Sequence, residues 1–223
     1  MIAAITAAVN VLVLVLSALF PIVDPLSGAP IFLALTRECT PALRRSLSWR
    51  VACDSFFLMV GSYFIGSHVL GFFGVSLPVV QVAGGLVVTG IGWTMLMAKD
   101  EAADAKKGIV QPQEVLRRAF YPLTLPLTIG PGSITVAVTL GANATRHYGV
   151  HFLTVLAALI GIVLIALSIY LCYAFADRLV RVLGETGTAI IIRLSSFLLV
   201  CIGVQIVWNG MNALLTSVTL HVR

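Results

Sequence analysis

The chain has 223 residues, 59% of them hydrophobic and only 10% charged, with a formal net charge of +5 and a mean hydropathy of +1.05. A soluble domain carries about 25% charged residues and cannot hide this much apolar surface from water, so a water-soluble fold is excluded and lipid is the implied solvent. The positive charge does not point to nucleic acid, because the Lys and Arg residues lie between apolar runs and form no basic stripe interleaved with aromatics.

In chain order, the apolar runs predict six membrane-spanning helices. The first covers residues 2–23 and has no ionisable side chain; lacking a basic n-region and an A-x-A cleavage pattern, it reads as a retained span. The second and third share the uncharged stretch 55–98, which Gly71-Phe72-Phe73-Gly74 and Pro78 divide into helices near 51–70 and 77–98. A polar linker of mixed charge, 99–118, follows and reads as a solvated connector. The remaining helices are expected near 119–143, 151–175 and 189–211. The chain is therefore read as all-α, one transmembrane domain in two halves, 1–98 and 119–223.

Successive loops alternate across the membrane, and cytoplasmic loops carry the excess of Lys and Arg. The first, third and fifth loops hold Arg37, Arg44, Arg45, Arg50, Lys99, Lys106, Lys107, Arg117, Arg118, Arg178, Arg181 and Arg193, whereas the other side holds only Arg146 and Arg223. Both termini are expected to face outward, which in a bacterial inner membrane is the periplasm.

The segment Phe20-Pro21-Ile22-Val23-Asp24-Pro25-Leu26-Ser27 recurs as Tyr121-Pro122-Leu123-Thr124-Leu125-Pro126-Leu127-Thr128, and Pro30 matches Pro131 in the same register. A weaker echo pairs Gln81-Val82-Ala83-Gly84-Gly85-Leu86 with Arg193-Leu194-Ser195-Ser196-Phe197-Leu198. An odd number of helices per repeat makes the two copies insert with opposite topology, so the expectation is two inverted three-helix repeats. Prolines this closely spaced remove backbone donors and clash with preceding carbonyls, so helices 1 and 4 are expected to break around Pro25, Pro30, Pro126 and Pro131.

In lipid, an interrupted helix is tolerated only where its freed backbone groups are buried in protein or line a wet cavity, so the breaks point to a site. Helices beginning near Pro30 and near Pro131 would bring two N-termini together at mid-membrane, each carrying about half a positive charge and suited to a carboxylate. Gly28, Gly130 and Gly132 would let a ligand approach the backbone, and Ser27, Thr128 and Ser133 offer hydroxyls. The alternative is that these are proline-kinked helices whose glycines serve packing.

Asp24 stands out because an acid in mid-membrane costs about 2.5–3.5 kcal/mol on insertion scales. Two roles are open to it: meeting a substrate ammonium or a coupling Na+ or H+, or capping the helix that starts at Pro25. Gln81, Arg193 and Gln205 are candidates for gating or polar contacts, with interhelical hydrogen bonding the competing role. Cys39, Cys53, Cys172 and Cys201, and the four histidines, show no metal-ligand spacing, so no metal or other cofactor is expected.

Through Asp24-Pro25-Leu26 to Pro30-Ile31-Phe32, Phe73-Gly74-Val75-Ser76-Leu77-Pro78, Ala83-Gly84-Gly85-Leu86, Gly130-Pro131-Gly132-Ser133-Ile134, and Arg193-Leu194 with Gly203-Val204-Gln205 and Asn209-Gly210, the chain resembles the MarC family of bacterial membrane proteins, also described as the SnatA type. The resemblance implies a six-helix inner-membrane protein, and transport of small neutral amino acids such as glycine and alanine. Where relatives often carry Asn or Gly after Asp-Pro-Leu, and Arg before Ala-Gly-Gly, this chain has Ser27, Gly28 and Gln81.

The residues themselves favour alternating-access transport of a small solute, on the inverted repeat and the twin breaks. An exporter or channel would share that site. An intramembrane enzyme has less in its favour, with no GxSxG elbow, no acid pair on one span and no Cys/His constellation.

Overall fold

A computed structural model describes residues 2–36, 39–97, 119–148 and 152–221. Every regular element among them is helical: α1 (Ile2–Val23), α2 (Pro25–Leu35), α3 (Pro41–Phe72), α4 (Leu77–Met97), the π-helical α5 (Ala119–Thr128), α6 (Pro131–Tyr148), α7 (Phe152–Ala174) and α8 (Ala176–His221). Among the described residues, five stretches are long and apolar enough to cross a bilayer: Ala4–Leu35, Pro41–Phe72, Leu77–Met97, Phe152–Ala174 and Thr186–Thr216. α5 and α6 form a further helical path, interrupted at residues 129 and 130. The linker expected at 99–118 lies outside the described residues.

Two helices begin earlier than their apolar runs suggest. α3 starts at Pro41, not near 51, because Thr40 caps it by accepting the Leu43 N–H at 3.3 Å and Pro41 has no N–H to leave unpaired. In its first turns Arg45 and Arg50 are exposed, whereas Arg44 lies on the buried side with Leu47, Ser48 and Val51. α8 starts at Ala176, not near 189, but Gly184 (φ 67°, ψ 179°) divides it into a short helix, 176–183, and the span that follows. That backbone conformation is essentially confined to glycine.

α4 and α8 pack backbone against backbone. A methyl added to Gly85 would lie 2.7 Å from the Gly203 carbonyl oxygen, one on Gly210 2.7 Å from that of Pro78, and one on Gly92 2.9 Å from that of Ser196. Pro78, Gly85 and Gly92 thus meet Gly210, Gly203 and Ser196 in antiparallel order, one small residue per seven on each helix. Close approach of this kind is how helices associate where lipid supplies no hydrophobic drive.

Most of the other contacts run between the halves of the chain. α1 and α2 pack on α7, α5 and α6 pack on α3, α2 meets α8, α4 meets α6, and α3 meets α7. Along α1, Val11, Val15 and Leu19 face this core, and Gly161 of α7 is close enough that an added methyl would touch Val15 at 2.8 Å. Phe57, Ile65, Leu86 and Leu194 point outward, as lipid-facing side chains do.

Candidate functional site

α1 gives way to α2 at a single residue. Asp24 adopts a left-handed conformation (φ 40°, ψ 64°), because the ring of Pro25 disfavours the helical region for the residue before it. Asp and Asn tolerate this conformation better than most side chains. The Asp24 N–H closes α1 by donating to the Phe20 carbonyl at 2.9 Å, and the Gly28 N–H opens α2 by donating to the Asp24 carbonyl at 3.1 Å. Asp24 Oδ1 accepts the Ser27 N–H at 3.3 Å, so capping is one role that Asp24 fills. α2 therefore starts at Pro25 and not near Pro30, which lies inside it.

The repeat-related segment breaks about a turn later. α5 runs past Pro126 as a π-helix, closed by the Ile129 N–H donating to the Thr124 carbonyl at 2.8 Å. Thr124 and Thr128 donate their hydroxyls to the carbonyls five residues back, Ala119 at 2.9 Å and Leu123 at 2.8 Å, so both hydroxyls are satisfied within the π-helix. α6 then begins at Pro131, with the Ile134 N–H bonded to the Gly130 carbonyl at 3.2 Å. The amides of Gly132 and Ser133 precede that ladder, and Gly130 has no side chain to cap them.

Tyr173 of α7 joins the two breaks. Its hydroxyl lies 2.9 Å from Thr128 Oγ1, at the end of α5. Its ring stacks on Phe32 of α2, with centroids 4.5 Å apart and planes 15° from parallel. A methyl on Gly28 would lie 2.5 Å from the Tyr173 hydroxyl, so the phenol fills the gap between Gly28 and Thr128. Beside it, Asp24 Oδ2 and Ser27 Oγ are buried with no hydrogen-bond partner, as is Ser55 Oγ on α3. A buried carboxylate oxygen and hydroxyl left unpaired are costly, and are matched by a group that donates to one or both.

The other candidates take different positions. Ser133 is buried, and Gly132 lies so near Val88 that this side of the α6 start is packed against α4. Gln81 has its Cβ 3.0 Å from the place of a Gly210 methyl, Gln205 donates to Asn209 Oδ1 at 2.9 Å along α8, and Arg193 is exposed on α8. These three belong to the α4–α8 pair. Among the described residues, no group of three or more His, Cys, Asp or Glu could hold a metal ion.

The sequence alone does not single out Tyr173 or Phe32, nor the pairing of Arg44 with Asp177. Arg44 is buried at the far end of α2, where its Nε donates to Thr36 Oγ1 at 3.1 Å and its Nη2 to the Thr36 carbonyl at 3.0 Å. Its Nη1 pairs with Asp177 Oδ2, in the first turn of α8. Nearby, Arg45 Nε donates to the Tyr170 hydroxyl at 3.1 Å, and the Trp49 and Tyr170 rings pack perpendicular to each other, with centroids 5.5 Å apart. The signal for Tyr173 was its phenol inside an apolar span, which requires a hydrogen-bond partner. Toward the opposite end of the molecule, a cavity of about 250 Å³ lies between α1, α3 and α6, lined by Val11, Val15, Tyr63, Leu140 and Asn143 among others.

Residues 9–215 match the family described as MarC family integral membrane protein. Among individual relatives, the chain is 33% identical over 199 residues to the UPF0056 inner membrane protein MarC of Salmonella typhimurium, covering 86% of this chain and 90% of the relative. It is 33% identical over 200 residues to the protein of that name in Citrobacter koseri, and 31% over 199 residues to that of Escherichia coli O1:K1 / APEC, with the same coverage. No solved structure matches.

Proposed function

Because the chain belongs to the MarC family of integral membrane proteins, we propose that it is a secondary transporter of small neutral amino acids of the glycine and alanine type, coupled to Na+ or H+. It works by alternating access around the two broken helices. The observation that carries this reading is the meeting of both breaks at Tyr173, beside an unpaired carboxylate oxygen of Asp24 and an unpaired hydroxyl of Ser27.

The division of labour follows from charge. A zwitterion offers an ammonium to Asp24 Oδ2 and a carboxylate to the Gly132 and Ser133 amides, which sit at the positive end of α6. Gly28 and Thr128 flank the Tyr173 phenol, which fills the gap between them, so a solute enters there only when the phenol withdraws. A coupling cation competes for the same carboxylate, and this is how an ion gradient drives the solute.

Two inverted halves, 1–98 and 119–223, are part of the proposal. Support comes from the pairing of elements: α1 and α2 lie on α7 as α5 and α6 lie on α3, and α2 meets α8 as α4 meets α6. The placement of both termini outside the inner membrane rests on the distribution of Lys and Arg. Relatives bear the description inner membrane protein.

The test is uptake of labelled glycine and alanine into proteoliposomes, with and without an imposed pH or Na+ gradient. Accumulation above equilibrium that collapses with the gradient is the expected result. Equilibration without accumulation would make the protein a channel, and no uptake of either amino acid would remove the substrate class. An Asp24→Asn protein that still accumulates solute with the same ion dependence would remove Asp24 from coupling.

A further inference from the structure

We infer that Arg44 is the latch of a gate at the arginine-rich end of the molecule, holding the C-terminus of α2 against the first turn of α8 and so closing the path from that face to Asp24 and Ser27. This rests on the transport reading for its purpose, but not for its geometry.

A guanidinium is expensive to bury and stays buried only when its donors are used. Arg44 spends two on Thr36, its Oγ1 and its carbonyl, and a third on Asp177. Thr36 is the C-cap of α2, so the charge also lies at the negative end of that helix. Arg44 comes from the first turns of α3, which makes it the tie among three elements and across the two halves of the chain.

Both segments that it ties are short and hinged at their other ends. α2 has 11 residues and joins α1 through one left-handed residue, Asp24. Asp177 sits on the short helix 176–183, which joins its span through Gly184. Such single-residue junctions absorb a change of φ and ψ while the helices stay intact. Asp177 keeps 47% of its side chain exposed against 9% for Arg44, so the carboxylate has water to return to when the pair parts.

The load on α2 is what makes release of its end consequential. Phe32 is one turn from Thr36, is fully buried, and stacks on Tyr173. Swinging the C-terminal end of α2 outward draws Phe32 off the Tyr173 ring and frees the phenol to leave the gap between Gly28 and Thr128. The unpaired oxygens of Asp24 and Ser27 then face the arginine-rich side. With the latch shut, two layers lie between them and that face: the Phe32–Tyr173 stack, then the Arg44–Thr36–Asp177 group.

The experiment places a single cysteine at Ser27→Cys in the full chain, with Cys39, Cys53, Cys172 and Cys201 replaced by alanine. A membrane-impermeant thiol reagent is then applied to sealed vesicles of each orientation. The closed form should be modified slowly from the arginine-rich face. Arg44→Gln and Asp177→Asn should each raise that rate about tenfold or more, because an open form that is a minor state of about 0.1–10% becomes a major one. Arg44→Lys, which keeps the charge but not the fork, should fall between. A second reporter, Thr128→Cys, repeats the series in case Ser27→Cys disturbs the fold. Rates equal to the parent's in both Arg44→Gln and Asp177→Asn would overturn the latch, and so would equal increases from both faces. Labelling needs no transport: faster modification in a protein that carries no solute keeps the gate and removes the carrier, while transport with unchanged labelling does the reverse.

Discussion

Asp24 stands in a backbone conformation that few side chains accept, and this separates the effects of its substitutions. Asn tolerates the left-handed region and still caps, so Asp24→Asn should unfold at nearly the parent's temperature while losing ion-coupled accumulation. Asp24→Ala loses the cap, worth about 0.5–2 kcal/mol, and strains the backbone by about 1–2 kcal/mol more, which thermal unfolding in detergent would register. Gly28→Ala drives a methyl against the Tyr173 hydroxyl and should cost about 1–3 kcal/mol. Tyr173→Phe removes the atom it meets, so the double variant should recover part of the loss; a sum of two independent losses would show that the phenol is not what Gly28 accommodates. Asp24, Ser27, Gly28 and Thr128 are legible in the sequence because proline and glycine mark the backbone locally. Tyr173 is not, because its partners lie on α2 and α5 and nothing beside it in the chain announces them.

At the scale of elements, repeated prolines need not do the same work twice. Pro25 ends one helix and starts the next, whereas its counterpart Pro126 sits inside a π-helix whose threonine hydroxyls feed the carbonyls. Pro30 lies within α2, while its counterpart Pro131 begins α6. The existence of both interruptions is readable from composition, but their exact places depend on which carbonyls find other donors, which is settled by the fold. The α4–α8 contact is similar: its glycines are visible, and their partners are not. Gly203→Val would push carbon into the Thr89 amide, 2.6 Å from where its first side-chain atom must go, and should cost about 3 kcal/mol or more. Gly90 on the same helix pair has nothing within 4 Å, so Gly90→Ala should be neutral or gain up to about 1 kcal/mol. Comparing the two by thermal unfolding distinguishes a packing seam from a general intolerance of substitution.

For the molecule as a whole, the all-helical membrane architecture follows from hydropathy, because lipid demands long apolar helices whatever their packing. The orientation proposed from Lys and Arg makes a direct prediction: alkaline phosphatase fused after Arg223 should be active, and green fluorescent protein at the same place should stay dark. The reverse pattern would invert the orientation and put the Arg44 end on the outside. The packing between halves, and the gate built on it, could not be read from the chain, since Arg44 and Asp177 are 133 residues apart and each looks like an ordinary loop charge.

The glycine seam also divides the machine into a part that stays and a part that travels. Helices whose main chains touch at successive small residues cannot slide or tilt past one another without collision, so α4 and α8 form a rigid spine contributed equally by both halves. In the transport reading proposed here, the rearrangement that carries a solute across is borne by the remaining helices moving around it. Spin labels on the lipid-facing sides of α4 and α8 should therefore report one unchanging separation, while a pair on α2 and α5 should report two.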